Sequence, residues 1–246
     1  MGLEDAGFIV FDADADVARW AAAAHRLGTA IAAEPDTRAA NLRHGATWFV
    51  GVDALPNDAD GAIDGVPLDG PWRDHVTAPA HWHAAQLSIV YPGYPRQDPL
   101  ESDANHRFRI TRHAAHVDGL LPEGPARRRF LREPHAFILG LPLNACIAAP
   151  LVVWPGSHLI MAAAFRKATR GQDPSTVDLT EPYQAARRAV FDQIMPQPVQ
   201  AAPGQSVLLH RHMLHGVAPW EDGQTGPAEG RLIAYFRPQT NAADWL

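Results

Sequence analysis

No apolar run in this chain goes far without a turn residue, and that limits what it can fold into. The 22 Pro and 19 Gly are spread along all 246 residues, with no repeat and no low-complexity linker. The longest apolar stretch, 136–154, is interrupted by Pro142, Asn144 and Pro150. That spacing excludes a spanning helix and predicts two core strands joined by a turn. Other short apolar runs predict strands at 8–11, 48–52, 86–91, 108–112, 137–141, 147–154, 198–200, 206–209 and 232–236. Helices are expected at 17–27, 159–168 and 182–193, and a helix or loop excursion at 122–133. Asp12, Asp14 and Asp16 favour the first helix's N-terminus, and Gly28 suits its end. A calcium loop fails there, because Val17 stands where the loop needs Gly and Ala23 where it needs Glu. The pattern is that of an α+β chain with a mainly β core, a barrel-like sandwich with flanking helices, forming one domain over 1–246.

Charge and cysteine content narrow the function. A net charge of −6 lacks the clustered Lys and Arg that a nucleic-acid surface needs. The one dense basic run, Arg127-Arg128-Arg129 with Arg132 after it, reads as a solvated helix face or loop. Cys146 is the sole cysteine, so no internal disulfide can form, and its apolar neighbours predict a buried, inert thiol. Acids near the start, Glu4 and Asp5, occupy the place of a secretory signal's basic residues, and Ala6 stands where myristoylation calls for Ser or Thr. The expectation is a cytoplasmic protein with no nucleic-acid or membrane partner, acting on a small molecule. Its oligomeric state is unassigned.

The chemistry concentrates in His116-Val117-Asp118. On an extended chain, positions i and i+2 face the same way, so one imidazole and one carboxylate converge. A second histidine from a distant strand completes a two-histidine, one-carboxylate triad, which leaves open positions on a metal. Several histidines compete for that place. His113 points to the opposite face if the segment is a strand. His81 and His83 form a same-face pair around Trp82, read as packing or pocket rim. His210 and His212 precede His215; neither reads as a ligand, and whether His210 orients one is left open by the sequence. His158 reads as a turn residue bonding backbone. No Gly-x-Ser-x-Gly elbow, dinucleotide fingerprint or phosphate loop is present.

Downstream of His116 and Asp118 come Pro155-Gly156-Ser157-His158, then Gly204 before an apolar strand, then His215-Gly216, then Arg231 opening another strand. In this order the chain resembles the phytanoyl-CoA dioxygenase-like branch of the Fe(II)- and 2-oxoglutarate-dependent oxygenases. The likeness spans 110–236, within a metal-binding core of about 108–238. Gln205 departs from the family's Asp, and the interval from His215 to Arg231 is lengthened by an exposed loop at 221–227.

The resemblance implies a double-stranded β-helix, a cupin-like jelly roll. It implies Fe(II) held by His116, Asp118 and His215, and 2-oxoglutarate with its far carboxylate on Arg231, a permanently charged residue capable of a bidentate pair. O₂ is the oxidant, and the products include succinate and CO₂. Family halogenases lack a carboxylate at the position of Asp118, so its presence implies hydroxylation or a related oxidation. A cupin-like metal enzyme without 2-oxoglutarate, and a non-catalytic binding barrel, are the alternatives. Substrate-pocket loops are expected at 92–105, 120–133 and 165–184; Gln86, Tyr91 and Trp154 read equally well as pocket lining and as ordinary strand packing.

Overall fold

The computed structural model describes residues 2–246. A short helix α1 (Leu3–Ala6) ends at left-handed Gly7 and leads into strand β1 (Phe8–Phe11). The Asp14 carboxylate then accepts the backbone N–H groups of Asp16 and Val17 at 2.8 and 3.1 Å, capping helix α2 (Ala15–Ala33). Val17, Trp20, Ala21 and Ala24 form its buried stripe. The helix continues through Gly28, where it was expected to end. A Cβ there would press on the Leu87 side chain at 3.1 Å, so Gly28 serves close helix–sheet approach. Pro35 opens α3 (Pro35–Asn41), followed by β2 (Leu42–Arg43), β3 (Trp48–Gly51) and β4 (Gln86–Val90).

Two sequence expectations are corrected in the middle of the chain. Residues 108–112 are not a strand, because they end helix α4 (Asp103–Thr111). Ser102 caps that helix through the Asn105 N–H, and Arg109 reaches back one helical face to Glu101 at 3.2 Å. These local bonds outweigh the period-two pattern of Phe108 and Ile110. The 122–133 excursion is a hairpin of β5 (Leu120–Glu123) and β6 (Arg128–Leu131). Its turn uses positive φ at Gly124 and Arg127. Arg128 pairs with Asp178, Arg132 pairs with Glu123, and Arg129 lies over the Tyr183 ring. Arg128, Arg129 and Arg132 of the basic run are therefore each engaged by a neighbour.

The remaining strands are β7 (Phe137–Pro142), β8 (Leu151–Val153), β9 (Gln197–Val199), β10 (Ser206–His210), β11 (His215–Val217) and β12 (Arg231–Phe236). Residues 147–150, expected to belong to β8, lie outside it. Helices α5 (Ser157–Thr169) and α6 (Thr180–Gln193) separate β8 from β9. The large antiparallel sheet has the order β1-β10-β7-β12-β4-β3-β2, and the small one β11-β8-β9. The fold is a β jelly roll with flanking helices, as expected.

Period-two alternation sorts the side chains of the large sheet. Leu139, Leu141, Leu208, Leu232, Ala234 and Phe236 pack on α2. Ile138, Val207 and Leu209 point the other way and meet Leu151, Val153 and Val199 of the small sheet. Val152 and Trp154 pack outward with Met161, Phe165 and Tyr183 of the α5–α6 layer. The space between the sheets is thus the one interior that receives side chains from both. Among the described residues, no helix is long and apolar enough to cross a membrane.

Candidate metal centre

Arg112 caps the end of helix α4, and His113 and Ala114 take positive φ to turn the chain. The following residues run alongside β11. His116 N–H donates to the His215 carbonyl at 2.8 Å, and His215 N–H donates to the His116 carbonyl at 3.0 Å. Val217 N–H extends this ladder to His113 O at 3.0 Å. The segment is a single bridge rather than a regular strand, yet alternation holds. Ala115 and Val117 enter the core beside α5 and α6, which turns His116 and Asp118 to the opposite side.

Three donor atoms converge there. His116 Nε2 lies 3.1 Å from Asp118 Oδ1, and His215 Nε2 lies 3.9 Å from the same oxygen. Ligand atoms of all three residues fall within 4.8 Å of one another. Cis ligands at ~2.1 Å from one ion are about 3 Å apart; the His116–Asp118 separation has that value, while His215 stands farther off, at 3.9 Å from the carboxylate oxygen. His116 Nδ1 lies 3.0 Å from the Ala114 carbonyl, and His215 Nδ1 lies 2.9 Å from the Met213 carbonyl. A carbonyl can only accept, so each Nδ1 carries the proton and each Nε2 presents a lone pair. Two lone pairs and a carboxylate aimed at one point repel unless a cation sits among them.

Electrostatics keep His215 neutral and Asp118 ionised. Burial pushes the His215 imidazole down to about 4, helped by His116 and opposed by Asp118. Burial alone would raise the Asp118 carboxyl. The side chains of His116, His215 and Arg237 gathered around it overcome that effect and hold the carboxyl well below the usual range. Arg237 Nη1 sits 3.4 Å from Asp118 Oδ2, and its Nη2 donates to Gln86 Oε1.

Arg231 stands apart from the triad, at the other end of β12. It is 5% exposed, and its Nε and Nη2 have no hydrogen-bond partner. It lines a cavity between the sheets with Ile138, Leu151, Val207, Ile233 and Tyr235. Cys146 lines the same cavity and is half-buried, which corrects its expected burial.

The question left open for His210 is answered by its contacts: its Nδ1 accepts the His212 N–H at 3.1 Å, and its ring lies 4.9 Å from His158, while backbone carbonyls fix the rings of His116 and His215. His158 bonds the Glu4 carbonyl, as its turn reading predicts.

A second chamber adjoins the triad through Arg237. It is lined by Val52, Asp53, His81, His83, Glu133, His135, Arg237 and Gln239. Of the three loops expected to form a pocket, only Glu133 reaches it. His81 and His83 take the rim position expected of them, on a loop rather than a strand, around buried Trp82. Sequence reasoning missed Arg237 and His135. Alternation along β12 was the available signal for Arg237, because positions 231, 233, 235 and 237 share one face.

No protein-family model matches the chain, and no curated protein matches it. Solved structures do resemble it. One is EctD from S. alaskensis with 2-oxoglutarate and 5-hydroxyectoine, at 18% identity, covering 96% of this chain and 72% of that one, with a TM-score of 0.47. Another is SnoK, a non-heme alpha-ketoglutarate-dependent carbocyclase of nogalamycin biosynthesis, at 12% identity, 96% and 81% coverage and a TM-score of 0.48. A third is the epimerase SnoN in complex with Fe3+, alpha-ketoglutarate and nogalamycin RO, at 17% identity, 96% and 80% coverage and a TM-score of 0.47. At such identities the chemistry of this chain rests on its own side chains.

Proposed function

We propose that this chain is an Fe(II)- and 2-oxoglutarate-dependent dioxygenase of the phytanoyl-CoA dioxygenase-like branch, hydroxylating a small organic molecule. The observation that carries the reading is the convergence of His116 Nε2, Asp118 Oδ1 and His215 Nε2, with both Nδ1 protons held by carbonyls. These residues hold the metal, and Arg231 takes the remote carboxylate of 2-oxoglutarate. When bound, the metal and cosubstrate supply O₂ activation coupled to decarboxylation, one oxygen atom entering succinate and the other the product.

The protein's own part is binding, orientation and exclusion of water. Arg231 offers two unpartnered donors to a carboxylate in a largely apolar cavity. Ile138, Val207 and Leu209 keep the interior apolar. Arg237 holds the free oxygen of Asp118 so that the other faces the metal.

Anaerobic titration of Fe(II)-loaded protein with 2-oxoglutarate tests the reading through the visible charge-transfer band. Arg231→Met is expected to weaken 2-oxoglutarate binding by about 10–100-fold, the worth of a charge-assisted bidentate contact. Fe(II) binding should be retained. His116→Ala should abolish both the band and succinate release. A band that persists in His116→Ala sinks the assignment.

A further inference from the structure

The chamber beside the triad is built for a particular chemistry. It sits where four neighbouring strands of the large sheet end together: β3 at Asp53, β4 at His83, β12 at Arg237 and β7 at His135. At ~4.8 Å per strand, the two outer strands are about 14 Å apart, the breadth of a small metabolite with its contacts. Val52 is the one aliphatic side chain among its lining residues. An acyl chain or a fused-ring hydrocarbon gains little by entering, because hydrophobic gain scales with apolar area buried.

The polar groups are biased toward accepting hydrogen bonds and toward negative charge. His135 is 5% exposed, and its Nδ1 lies 3.1 Å from the Arg237 carbonyl, so that nitrogen carries the proton. Its Nε2 is buried without a hydrogen-bond partner and lies 3.6 Å from Glu133 Oε2. Burial lowers the pKa of His135, so the ring is neutral and Nε2 is an acceptor waiting for an O–H or N–H. His83 Nε2 accepts the Arg237 backbone N–H at 3.3 Å. Among the described residues, no Lys or Arg pairs with Glu133 or Asp53, and the His135 nitrogen 3.6 Å from Glu133 is the unprotonated one. Arg237, the one fixed cation of the chamber, is already shared between Asp118 and Gln86. Free negative charge on both flanks and a buried acceptor between them select a cationic hydrogen-bond donor over an anion.

We infer that the primary substrate is a small hydrophilic amine. Glu133 and Asp53 attract its ammonium group, and His135 Nε2 accepts a hydroxyl or N–H from it. This places the molecule beside the metal. The inference rests on the oxygenase reading and narrows it to a substrate class.

The test uses the Fe(II)-loaded full chain. A first arm records the anaerobic 2-oxoglutarate band, which requires no substrate, and its absence overturns the oxygenase reading itself. A second arm measures succinate release in air with glucosamine, ornithine and spermidine. Each is set against a matched compound without the amine, and palmitoyl-CoA forms a separate comparison. At least one amine is expected to stimulate succinate release about tenfold or more over its matched compound. Glu133→Gln should raise the KM for that amine about tenfold while the 2-oxoglutarate band still forms, and Asp53→Asn should raise it by less. Formation of the band with no response to any amine overturns the inference and spares the oxygenase reading. Equal or better turnover of palmitoyl-CoA or the matched neutral compounds overturns it too, as does an unchanged KM in both variants.

Discussion

Asp118 is held at both of its oxygens. Oδ1 faces the two histidines at 3.1 and 3.9 Å, and Oδ2 faces Arg237 Nη1 at 3.4 Å. The guanidinium therefore decides which oxygen is free for a metal. Arg237→Met should lower Fe(II) affinity by about 10–100-fold, the usual loss when the partner of a metal ligand is removed. Anaerobic calorimetry with Fe(II) reads that loss directly, and unchanged affinity would show that Asp118 needs no such restraint. The convergence of His116 and Asp118 was legible in the sequence because a two-residue step sends two side chains the same way on any extended chain, whereas His215 was singled out by the resemblance. Arg237 and His135 were not, because neither belongs to a motif. Their meaning comes from the strand ends that gather around them.

At the scale of elements, β11 does more than carry His215. It lies between β8 and the 113–117 segment, and Gly216 makes that packing possible. A Cβ at Gly216 would collide with the His113 carbonyl oxygen, a backbone atom with no freedom to swing aside. Gly216→Ala should destabilise the fold by about 1–3 kcal/mol, as overpacking typically does, and weaken metal binding by parting His116 from His215. Denaturant unfolding and Fe(II) titration check the two effects separately. Most strands were readable from their apolar runs and bounding turns. The misread segments share a cause: local hydrogen bonds or tight turns outranked side-chain pattern. Ser102 and Glu101 made a helix of residues with strand-like alternation, and Gly124 with Arg127 folded the excursion into a hairpin. Gly28 failed as a stop signal because the sheet beneath it leaves no room for a Cβ.

Across the whole molecule, burial lowers the pKa of His44, His83, His113, His135, His210, His212 and His215. For His210 the value falls to about 3. An unfolded chain protonates such histidines near pH 6.5, before the folded one does, so stability falls as pH falls below about 6.5. For His210 this loss continues until the pH reaches about 3. Asp118, depressed by its neighbours, loses its own contribution in the same direction at lower pH. Each such histidine contributes up to about 1.4 kcal/mol per pH unit within its window. The melting temperature should therefore drop steadily between pH 7 and pH 5. His212→Phe keeps an aromatic ring against Trp245 and Phe165, and should flatten that slope. A slope identical to the parent's would acquit His212. The paired backbone bonds between His116 and His215 carry a further consequence. Structural zinc modules fold around their metal and unravel when it is withdrawn. Here the two imidazoles are fastened to each other through the main chain, independently of any ion. Treatment with a chelator should leave the circular dichroism spectrum unchanged. The His116 and His215 amide protons should still exchange slowly with deuterated solvent, and iron should be taken up again without a refolding lag.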